Sequence, residues 1–287
     1  MHFVSSVDFY GDVVAWERSL PEFDAVVGIP RSGLYPASYI ALRRNIRLIE
    51  LSALLANPDT AMSKAVVRES NPLFQKPCGN RVLIVDDSAS DDCVTTQRIR
   101  KQLQGQTALE IQYGVVYRSS ARSRVDYYHR EVPLPRLFEW NWFRNWRIAG
   151  SLLDMDGVLC DDWINRPEQD FDPQFQDHLA NVRPLYIPQV PCRAVVTSRI
   201  ERYRKQTEAW LNRYNVPYEQ LIMHPAATPE ERQAAGDHAA RKAAAYIASP
   251  AAPLFIESCV KQAQEIAAIS KRPVLCIDTM TMYGGQA

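Results

Sequence analysis

The second half of this 287-residue chain contains the run Leu152-Leu153-Asp154-Met155-Asp156-Gly157-Val158-Leu159. The two leading leucines are typical of the end of a buried strand, and the glycine is typical of a tight turn that leaves it. The pattern therefore places two carboxylates at the carboxyl end of a strand, where open α/β sheets bind ligands. One carboxylate can attack phosphorus to form an aspartyl-phosphate, the other can transfer protons, and both can ligate Mg²⁺.

Taken alone, the run also fits a solvated turn after a strand. Three further pieces in the matching order favour a phosphoryl-transfer site, and the run resembles motif I of the haloacid dehalogenase (HAD) superfamily of phosphohydrolases. The resemblance covers roughly residues 147 to 287 and implies a HAD-like Rossmannoid domain, with Asp154 as nucleophile and Asp156 as general acid/base. Phosphatase chemistry is favoured over dehalogenase or mutase chemistry, because resembling phosphatases use the second Asp and dehalogenases lack it.

The other elements that the resemblance implies follow along the chain. Thr197, at the end of an apolar run, matches the hydroxyl residue that binds the phosphoryl group, and Lys242 matches the cation, with Arg241 as second candidate. Glu257 matches the acid that helps the two aspartates hold Mg²⁺. The family usually has Asp at this place, often with a second acid, whereas Ser258 follows Glu257 here, so that one negative charge is missing. The short interval before Thr197 implies a minimal cap.

The first half contains two further loops of interest. The apolar run Arg81 to Val85 ends in Asp86-Asp87-Ser88-Ala89-Ser90, and an earlier short strand ends in Pro30-Arg31-Ser32-Gly33. Both resemble loops of type I phosphoribosyltransferases, which bind phosphoribosyl pyrophosphate (PRPP), over roughly residues 1 to 146. The resemblance implies that the acids bind the ribose hydroxyls, that backbone N–H groups cradle the 5′-phosphate, and that Arg31 faces the pyrophosphate. The implied substrate-binding residues are Arg31, Ser32, Gly33, Asp86, Asp87, Ser88, Ser90 and Thr95.

The loop after Asp87 departs from the family pattern. Asp91 and Asp92 stand where uncharged residues usually face the phosphate dianion. Two added carboxylates would repel that phosphate unless Mg²⁺ or a basic group intervenes. Two alternatives stay open. Either the acids point outward and cap the next helix, or the domain has lost PRPP chemistry or binds a sugar without a 5′-phosphate.

Two other segments bear on the first half and on its junction with the second. The polar run Ala53 to Lys76 fits the family's mobile loop, and Tyr127, Phe138 and Trp140 resemble the stacking residues of a base-binding hood. Phe138, Trp140 and Trp142 also alternate as one face of a strand does. That alternation favours packing where two domains meet over a role in ligand stacking.

Composition excludes several classes of function. Lys plus Arg and Asp plus Glu number 33 each, so the formal net charge is zero, which argues against general attraction to nucleic acid or anionic membranes. The beginning lacks the pattern of a secretory signal, no apolar run approaches the length of a membrane span, and the six scattered cysteines form no C-x-x-C pair. We expect a cytoplasmic protein whose partners are small phosphorylated molecules, with homo-oligomerisation left open.

Strand-like runs alternate with helix-like runs throughout, which predicts an α/β protein of two domains. We expect residues 1–146 to form a phosphoribosyltransferase-like parallel-sheet domain and residues 147–287 a HAD-like domain with a minimal cap. The leading hypothesis is a bifunctional protein of nucleotide metabolism, with a Mg²⁺-dependent phosphatase beside a domain that makes or binds a ribosyl phosphate. The alternatives are a phosphatase whose first domain supplies only lid and specificity, and a non-enzymatic nucleotide-sensing module.

Overall fold

The computed structural model describes residues 1–64, 79–163, 168 and 172–284. The chain divides into two compact units: the first unit is Ser6–Arg136, and the second unit is Met1–Ser5 together with Leu137–Ala287. In the described part of the chain, no helix is both long and apolar enough to cross a membrane.

Both units alternate strands with helices. The strands are, in chain order, β1 (His2–Val4), β2 (Ala25–Gly28), β3 (Arg47–Glu50), β4 (Arg81–Ala89), β5 (Glu110–Arg118), β6 (Tyr127–Glu131), β7 (Arg136–Phe138), β8 (Leu152–Leu153), β9 (Cys192–Ile200), β10 (Tyr218–His224), β11 (Phe255–Glu257), β12 (Val274–Cys276) and β13 (Thr281–Tyr283). The α-helices are α1 (Ser6–Ser19), α2 (Leu34–Arg44), α3 (Leu51–Ala56), α4 (Pro58–Lys64), α5 (Val94–Leu103), α6 (Pro173–Asn181), α7 (Arg204–Arg213), α8 (Pro229–Ala235), α9 (His238–Ile247) and α10 (Val260–Ser270). Short 3₁₀ helices span Glu139–Arg144, Trp146–Ile148 and Glu201–Tyr203.

The first unit is built on a parallel sheet with the strand order β3-β2-β4-β5-β6. Counted within the unit, this is the doubly wound order 2-1-3-4-5, in which the chain changes direction across the sheet between β2 and β4. Ala25 and Val27 of β2 join Val82 and Ile84 of β4 in one buried cluster. The intervening residues of both strands are also buried, as expected for a parallel sheet that is covered on both faces.

The second unit is built on a sheet with the strand order β10-β9-β8-β11-β12-β13, in which only β13 pairs antiparallel. Counted within the unit, this is the doubly wound order 3-2-1-4-5-6, with the change of direction between β8 and β11. Alternate residues pack on opposite faces: Leu153 and Ile256 belong to one buried cluster, and Leu152 and Phe255 belong to another. The two central strands are therefore buried on both sides.

The aromatic segment after Arg136 belongs to the second unit. Trp142 and Ile148 are part of the same buried cluster as Leu153, which is why the division falls after Arg136 and before the predicted boundary at residue 146. The prediction of a strand through Trp142 is wrong, because β7 ends at Phe138 and a 3₁₀ helix follows. The roles of residues 1–146 and 147–287 as separate functional domains stay a prediction.

The apolar runs that end at Val85 and at Thr197 form strands, but both strands are longer than these runs. β4 continues to Ala89 and β9 continues to Ile200, because each still pairs with a neighbouring strand, at Arg118 and His224 respectively. The predicted mobile loop Ala53 to Lys76 is helical as far as it is described. α3 and α4 occupy it through Lys64, with buried side chains that anchor them, and the rest of the run lies outside the described residues.

A single tryptophan offers a test of the packing of the second unit. Trp210 on α7 is 1% exposed and donates its indole N–H to the Val182 carbonyl at 2.8 Å. Trp210→Ala should lower the free energy of unfolding by about 3–5 kcal/mol. Trp146, which is 69% exposed, provides the control, and Trp146→Ala should change it by less than about 0.5 kcal/mol. Urea unfolding followed by circular dichroism measures both, and equal midpoints for the two variants would contradict the described packing.

Candidate functional site

The predicted catalytic residues of the second unit meet where its sheet changes direction. Asp154 directly follows β8, and Glu257 ends the neighbouring strand β11. Lys242 on α9 donates to Asp154 Oδ2 and to Glu257 Oε2, both at 2.7 Å, and to Gln262 Oε1 at 2.9 Å. The crevice at such a point, outside the carboxyl ends of the strands, is the usual ligand site of doubly wound sheets.

This contact places two carboxylates and an ammonium group together out of water, where a charge without a partner is costly. Burial, and then the charge of Glu257, raises the pKa of Asp154 well above its usual range. Burial alone would lower the pKa of Lys242, but the charges of Asp154 and Glu257 raise it instead, so the ammonium stays protonated. Lys242 is therefore the cation that allows two carboxylates to lie together out of water, and its loss would leave buried charge without a partner.

Asp156 has a partner of its own. Arg199, which is 5% exposed, donates Nε to Asp156 Oδ2 at 2.9 Å and Nη2 to Oδ1 at 2.5 Å, a bidentate pair. Burial alone would raise the pKa of Asp156, but the charge of Arg199 lowers it well below its usual range. In this arrangement Asp156 is ionised, so it can accept a proton but has none to donate.

Gly157 and Ser258 approach each other closely beside the two aspartates. Gly157 has a φ of +80°, and a Cβ at this position would collide with the Ser258 side chain. Only glycine accommodates both the left-handed turn and this close approach. The Ser258 hydroxyl donates to the Asp156 carbonyl at 3.4 Å. Ser258 therefore fixes the turn that carries the two aspartates.

The hydroxyl next to the cavity belongs to a different residue from the predicted one. Thr197 lies inside β9, is 5% exposed, and accepts the Arg199 backbone N–H at 3.1 Å. Among the described residues, Ser198 lines the cavity and Thr197 does not. The Ser198 hydroxyl is 2.9 Å from His238 Nδ1. Thr197 is placed to fix the backbone of β9, and Ser198 is placed to contact a ligand.

A cavity of about 120 Å³ opens beside Asp154. It is smaller than most pockets that hold drug-sized ligands, so it suits a small substrate. Its charged lining combines carboxylates and cations, namely Asp154, Asp156, Asp162, Glu168, Glu257, Arg199, Arg232 and Lys242. Burial, and then the charge of Asp156, raises the pKa of Asp162, as expected where acids crowd together.

The predicted Mg²⁺ ligands do not fit that ion in this arrangement. Their oxygens are the donors that Mg²⁺ prefers, yet among the described residues no three His, Cys, Asp or Glu side chains are placed to hold a metal ion. Beyond the two bonds from Lys242, Asp154 Oδ1 accepts the Met155 N–H and Glu257 Oε1 accepts the Ser258 N–H. Lys242 lies between the two acids where the prediction placed the metal.

The first unit also brings its predicted residues to the place where its sheet changes direction. The loop after β2 contains a cis peptide between Pro30 and Arg31, and Ile29 donates its N–H to the Val85 carbonyl at 2.8 Å. A Cβ on Gly33 would lie 2.5 Å from the Val85 carbonyl and 2.9 Å from Asp86 Cα, so only glycine allows this approach. The two loops therefore contact each other beside Asp86.

The prediction placed Asp86 and Asp87 at the end of their strand. They lie inside β4 instead, because β5 continues to pair with β4 beyond them. Asp86 lies one residue beyond the last residue of β4 that pairs with β2, and its side chain hydrogen-bonds Ser32. Burial, and then the charge of Asp87, raises the pKa of Asp86 to about 8. Asp87 is 5% exposed. The pair is thus a half-buried acidic site close to the predicted pyrophosphate loop.

The structure decides how the unusual acids Asp91 and Asp92 are held. Asp91 Oδ1 accepts the hydroxyls of Ser119 at 2.6 Å and Ser120 at 2.7 Å, and these bonds lower its pKa. Asp92 Oδ1 accepts the Ser90 hydroxyl at 2.5 Å. Of the alternatives left open, capping of the next helix is not what the structure shows, because Cys93 is the N-cap residue of α5 and the described side-chain bonds of the two acids go to serines.

The remaining predicted residues of the first unit are more dispersed. Ser88 lies within β4, Ser90 is bound to Asp92, and Thr95 lies in the first turn of α5. Tyr127 on β6 donates its hydroxyl to Gln112 Oε1 at 3.2 Å. Of the other predicted base-stacking residues, Phe138 and Trp140 stack on each other in the second unit, with ring centroids 4.7 Å apart.

Sequence reasoning missed the two arginines of the cavity and Gln262. Arg199 stands two positions after Thr197 and was available as a signal, since a charged side chain in a buried strand requires a buried partner. Arg232 on α8 lies far along the chain, and nothing in its local sequence ties it to the site. Gln262 lies on α10, shortly after Glu257 in the chain, and accepts the third hydrogen bond of the Lys242 ammonium.

Comparison with known proteins gives limited information. No protein-family model matches the chain. Among solved structures, the Helicobacter pylori xanthine-guanine-hypoxanthine phosphoribosyltransferase is similar over 48% of this chain and 92% of its own, at 18% identity and a TM-score of 0.35. The Pyrococcus horikoshii purine phosphoribosyltransferase is similar over 49% and 94%, at 21% identity and a TM-score of 0.34. An orotate phosphoribosyltransferase from Aeropyrum pernix covers 44% and 71%, at 15% identity and a TM-score of 0.28. With TM-scores this low, these similarities carry no argument about the fold or activity of the chain.

The raised pKa of Asp86 predicts a pH dependence of stability. Because the folded-state pKa, about 8, lies above the ordinary value of 3.8, the folded chain binds this proton more tightly than the unfolded chain. The free energy of unfolding should therefore fall as pH rises from about 4 to about 8. Asp86→Asn should remove that part of the slope. Urea unfolding of both proteins across this pH window measures it, and identical slopes would contradict the described burial of Asp86.

Proposed function

We propose that the second unit hydrolyses phosphomonoesters through a covalent phosphoryl intermediate on Asp154. The observation that carries the proposal is the contact of Lys242 with both Asp154 and Glu257, at 2.7 Å each, at the point where the sheet changes direction. A carboxylate fixed beside a buried cation in a crevice has the arrangement that nucleophilic attack on a phosphate ester needs. The cavity beside it gives the ester access.

The reaction has two steps. A carboxylate oxygen of Asp154 forms a bond to phosphorus as the bond to the leaving oxygen breaks, and the leaving oxygen takes up a proton. Water then attacks the phosphorus of the aspartyl-phosphate, the bond to Asp154 breaks, and free phosphate and the carboxylate are released. Lys242 offsets the negative charge between carboxylate and phosphoryl oxygens, and the Ser198 hydroxyl, which lines the cavity, contacts the phosphoryl group.

Asp156 handles the proton of the second step. Arg199 keeps it ionised in the described arrangement but also lowers its basicity, so it can accept a proton from the attacking water only once Arg199 moves away. For the first step, Asp156 must release Arg199 and take up a proton from solvent, and that proton then passes to the leaving oxygen. Dependence on Mg²⁺ stays a prediction, and activity in Mg²⁺ and in EDTA should be compared directly.

The nucleophile assignment is tested by Asp154→Asn. The amide cannot form the acyl phosphate, so phosphate release from a panel of small phosphomonoesters should fall by about three orders of magnitude or more. Asp161→Asn is the matched control, because the Asp161 side chain is 41% exposed and pairs with the exposed Arg183 at 2.7 Å, and it should retain activity. Native activity in Asp154→Asn would overturn the assignment. Tight nucleotide binding with negligible turnover in the unaltered protein would favour the non-enzymatic alternative.

A second function is favoured by the contact between the two loops of the first unit. We propose that this unit binds a ribosyl phosphate or pyrophosphate compound, with PRPP as the first candidate. Supporting this, the loop of Arg31, Ser32 and Gly33 approaches Asp86 where the strand order reverses, which is the ligand site of the 2-1-3-4-5 topology. The serine bonds of Asp91 fix the direction of this carboxylate, which stays ionised. Successive action of the two units on one nucleotide stays a prediction.

Binding of PRPP to the full chain can be measured by calorimetry. The combined variant Asp86→Asn and Asp87→Asn should lose the binding, because neutral amides replace the acceptors proposed for the ribose hydroxyls, and phosphate release by the second unit should be retained. Asp59→Asn, on α4, serves as the control for a lost charge in the same unit. If the unaltered chain binds no PRPP, the proposal for the first unit fails, while the phosphatase proposal stands.

A further inference from the structure

Three buried nitrogens around the cavity have no hydrogen-bond partner among the described residues. They are Arg199 Nη1, Arg232 Nε and His178 Nε2, and all three side chains line the cavity beside Asp154. A buried N–H group without an acceptor is costly and rare in folded proteins. The two arginine nitrogens are always N–H donors, and their presence at one cavity indicates that a ligand supplies acceptors for them.

Two of these three side chains lie close to Asp156. Arg199 forms the bidentate pair with Asp156, and His178 Nε2 is 3.9 Å from Asp156 Oδ1, beyond hydrogen-bond distance. Arg232 Nη1 donates to the carbonyl of Ser198, the residue before Arg199, at 3.2 Å. Arg232 Nη2 pairs with Glu168 at 2.8 Å. Both guanidinium groups are thus fixed in place while each keeps one N–H group unused.

Lys242 differs from the two arginines in this respect. Its three N–H groups are used on Asp154, Glu257 and Gln262, so it serves the reacting centre. Arg199 and Arg232 contribute additional positive charge with spare donors that the proposed reaction does not require. Planar guanidinium groups suit oxyanions, because two N–H groups can meet two oxygens at once.

We propose that the cavity holds a subsite for a second oxyanion of the substrate, formed by Arg199, Arg232 and His178 beside the phosphoryl site at Asp154. This inference rests on the proposed phosphatase function and specifies its substrate class: a phosphomonoester of a few carbon atoms that carries a carboxylate or a second phosphate. The cavity volume of about 120 Å³ agrees with a substrate of that size. Asp156, Asp162 and Glu168 also line the cavity, so they disfavour anions that cannot engage the spare N–H groups.

The test compares three small phosphomonoesters that differ in the second group. Phosphoglycolate carries a carboxylate where ethyl phosphate carries a methyl group, and ethylene glycol bisphosphate tests a second phosphate in the same place. The unaltered protein should hydrolyse phosphoglycolate or the bisphosphate with a kcat/KM at least about tenfold above that of ethyl phosphate, since a charge-assisted hydrogen bond contributes about that factor. Equal values for all three esters would overturn the subsite and leave the phosphatase proposal standing.

A variant assigns the preference to the subsite. Arg232→Gln should reduce the preference for the doubly charged ester about tenfold, mainly through KM, and Arg232→Lys should restore part of it because the charge returns without the fork. Arg183→Gln, an exposed arginine in the same unit, should leave the preference unchanged. An unchanged preference in a folded Arg232→Gln protein would overturn the assignment.

Binding separates the subsite from the chemistry. Calorimetry on Asp154→Asn with phosphoglycolate and ethyl phosphate measures affinity without turnover, and it should show the same preference. If the preference appears in binding while the unaltered protein releases no phosphate, the subsite stands and the phosphatase proposal fails. If neither ester binds and neither is hydrolysed, both proposals fail.

Discussion

One buried ammonium group holds the candidate site of the second unit together. Lys242 donates to Asp154 and Glu257 from the far side of the crevice, and the two acids end or follow adjacent strands. Two buried carboxylates side by side would repel each other and lose their hydration. The shared cation offsets both effects, and the alanine-rich face of α9, with Ala239 and Ala243 buried beside it, lets the helix come close enough to deliver it.

The two units share a doubly wound parallel sheet in which the strand order reverses once. In each, the chain changes direction across a parallel sheet, and the helices after the two central strands leave in opposite directions. A crevice forms there, and each unit places acidic residues in it, Asp154 and Glu257 in one and Asp86 and Asp87 in the other. In the first unit, burial and then the charge of Asp87 raise the pKa of Asp86 to about 8.

The sequence allowed the strands, the helices between them and the nucleophile run to be predicted, because apolar periodicity and turn residues are local signals. The resemblance also predicted that Lys242 and Glu257 lie near Asp154, and the structure brings these three side chains together. The ends of β4 and β9 could not be predicted, because they depend on how far a neighbouring strand pairs. Nor could the bond between Asp91 and Ser119 or the place of Arg232, which are contacts between distant segments.

The most direct test of the proposed chemistry is to trap the intermediate. The protein is incubated with a hydrolysable phosphomonoester, quenched in acid and reduced with borohydride, which converts an aspartyl-phosphate to homoserine, and the peptides are sequenced by mass spectrometry. We predict homoserine at position 154 and nowhere else, with none in the Asp154→Asn protein. Phosphate release with homoserine at position 156, or with none at all, would contradict the assignment of Asp154 as the nucleophile.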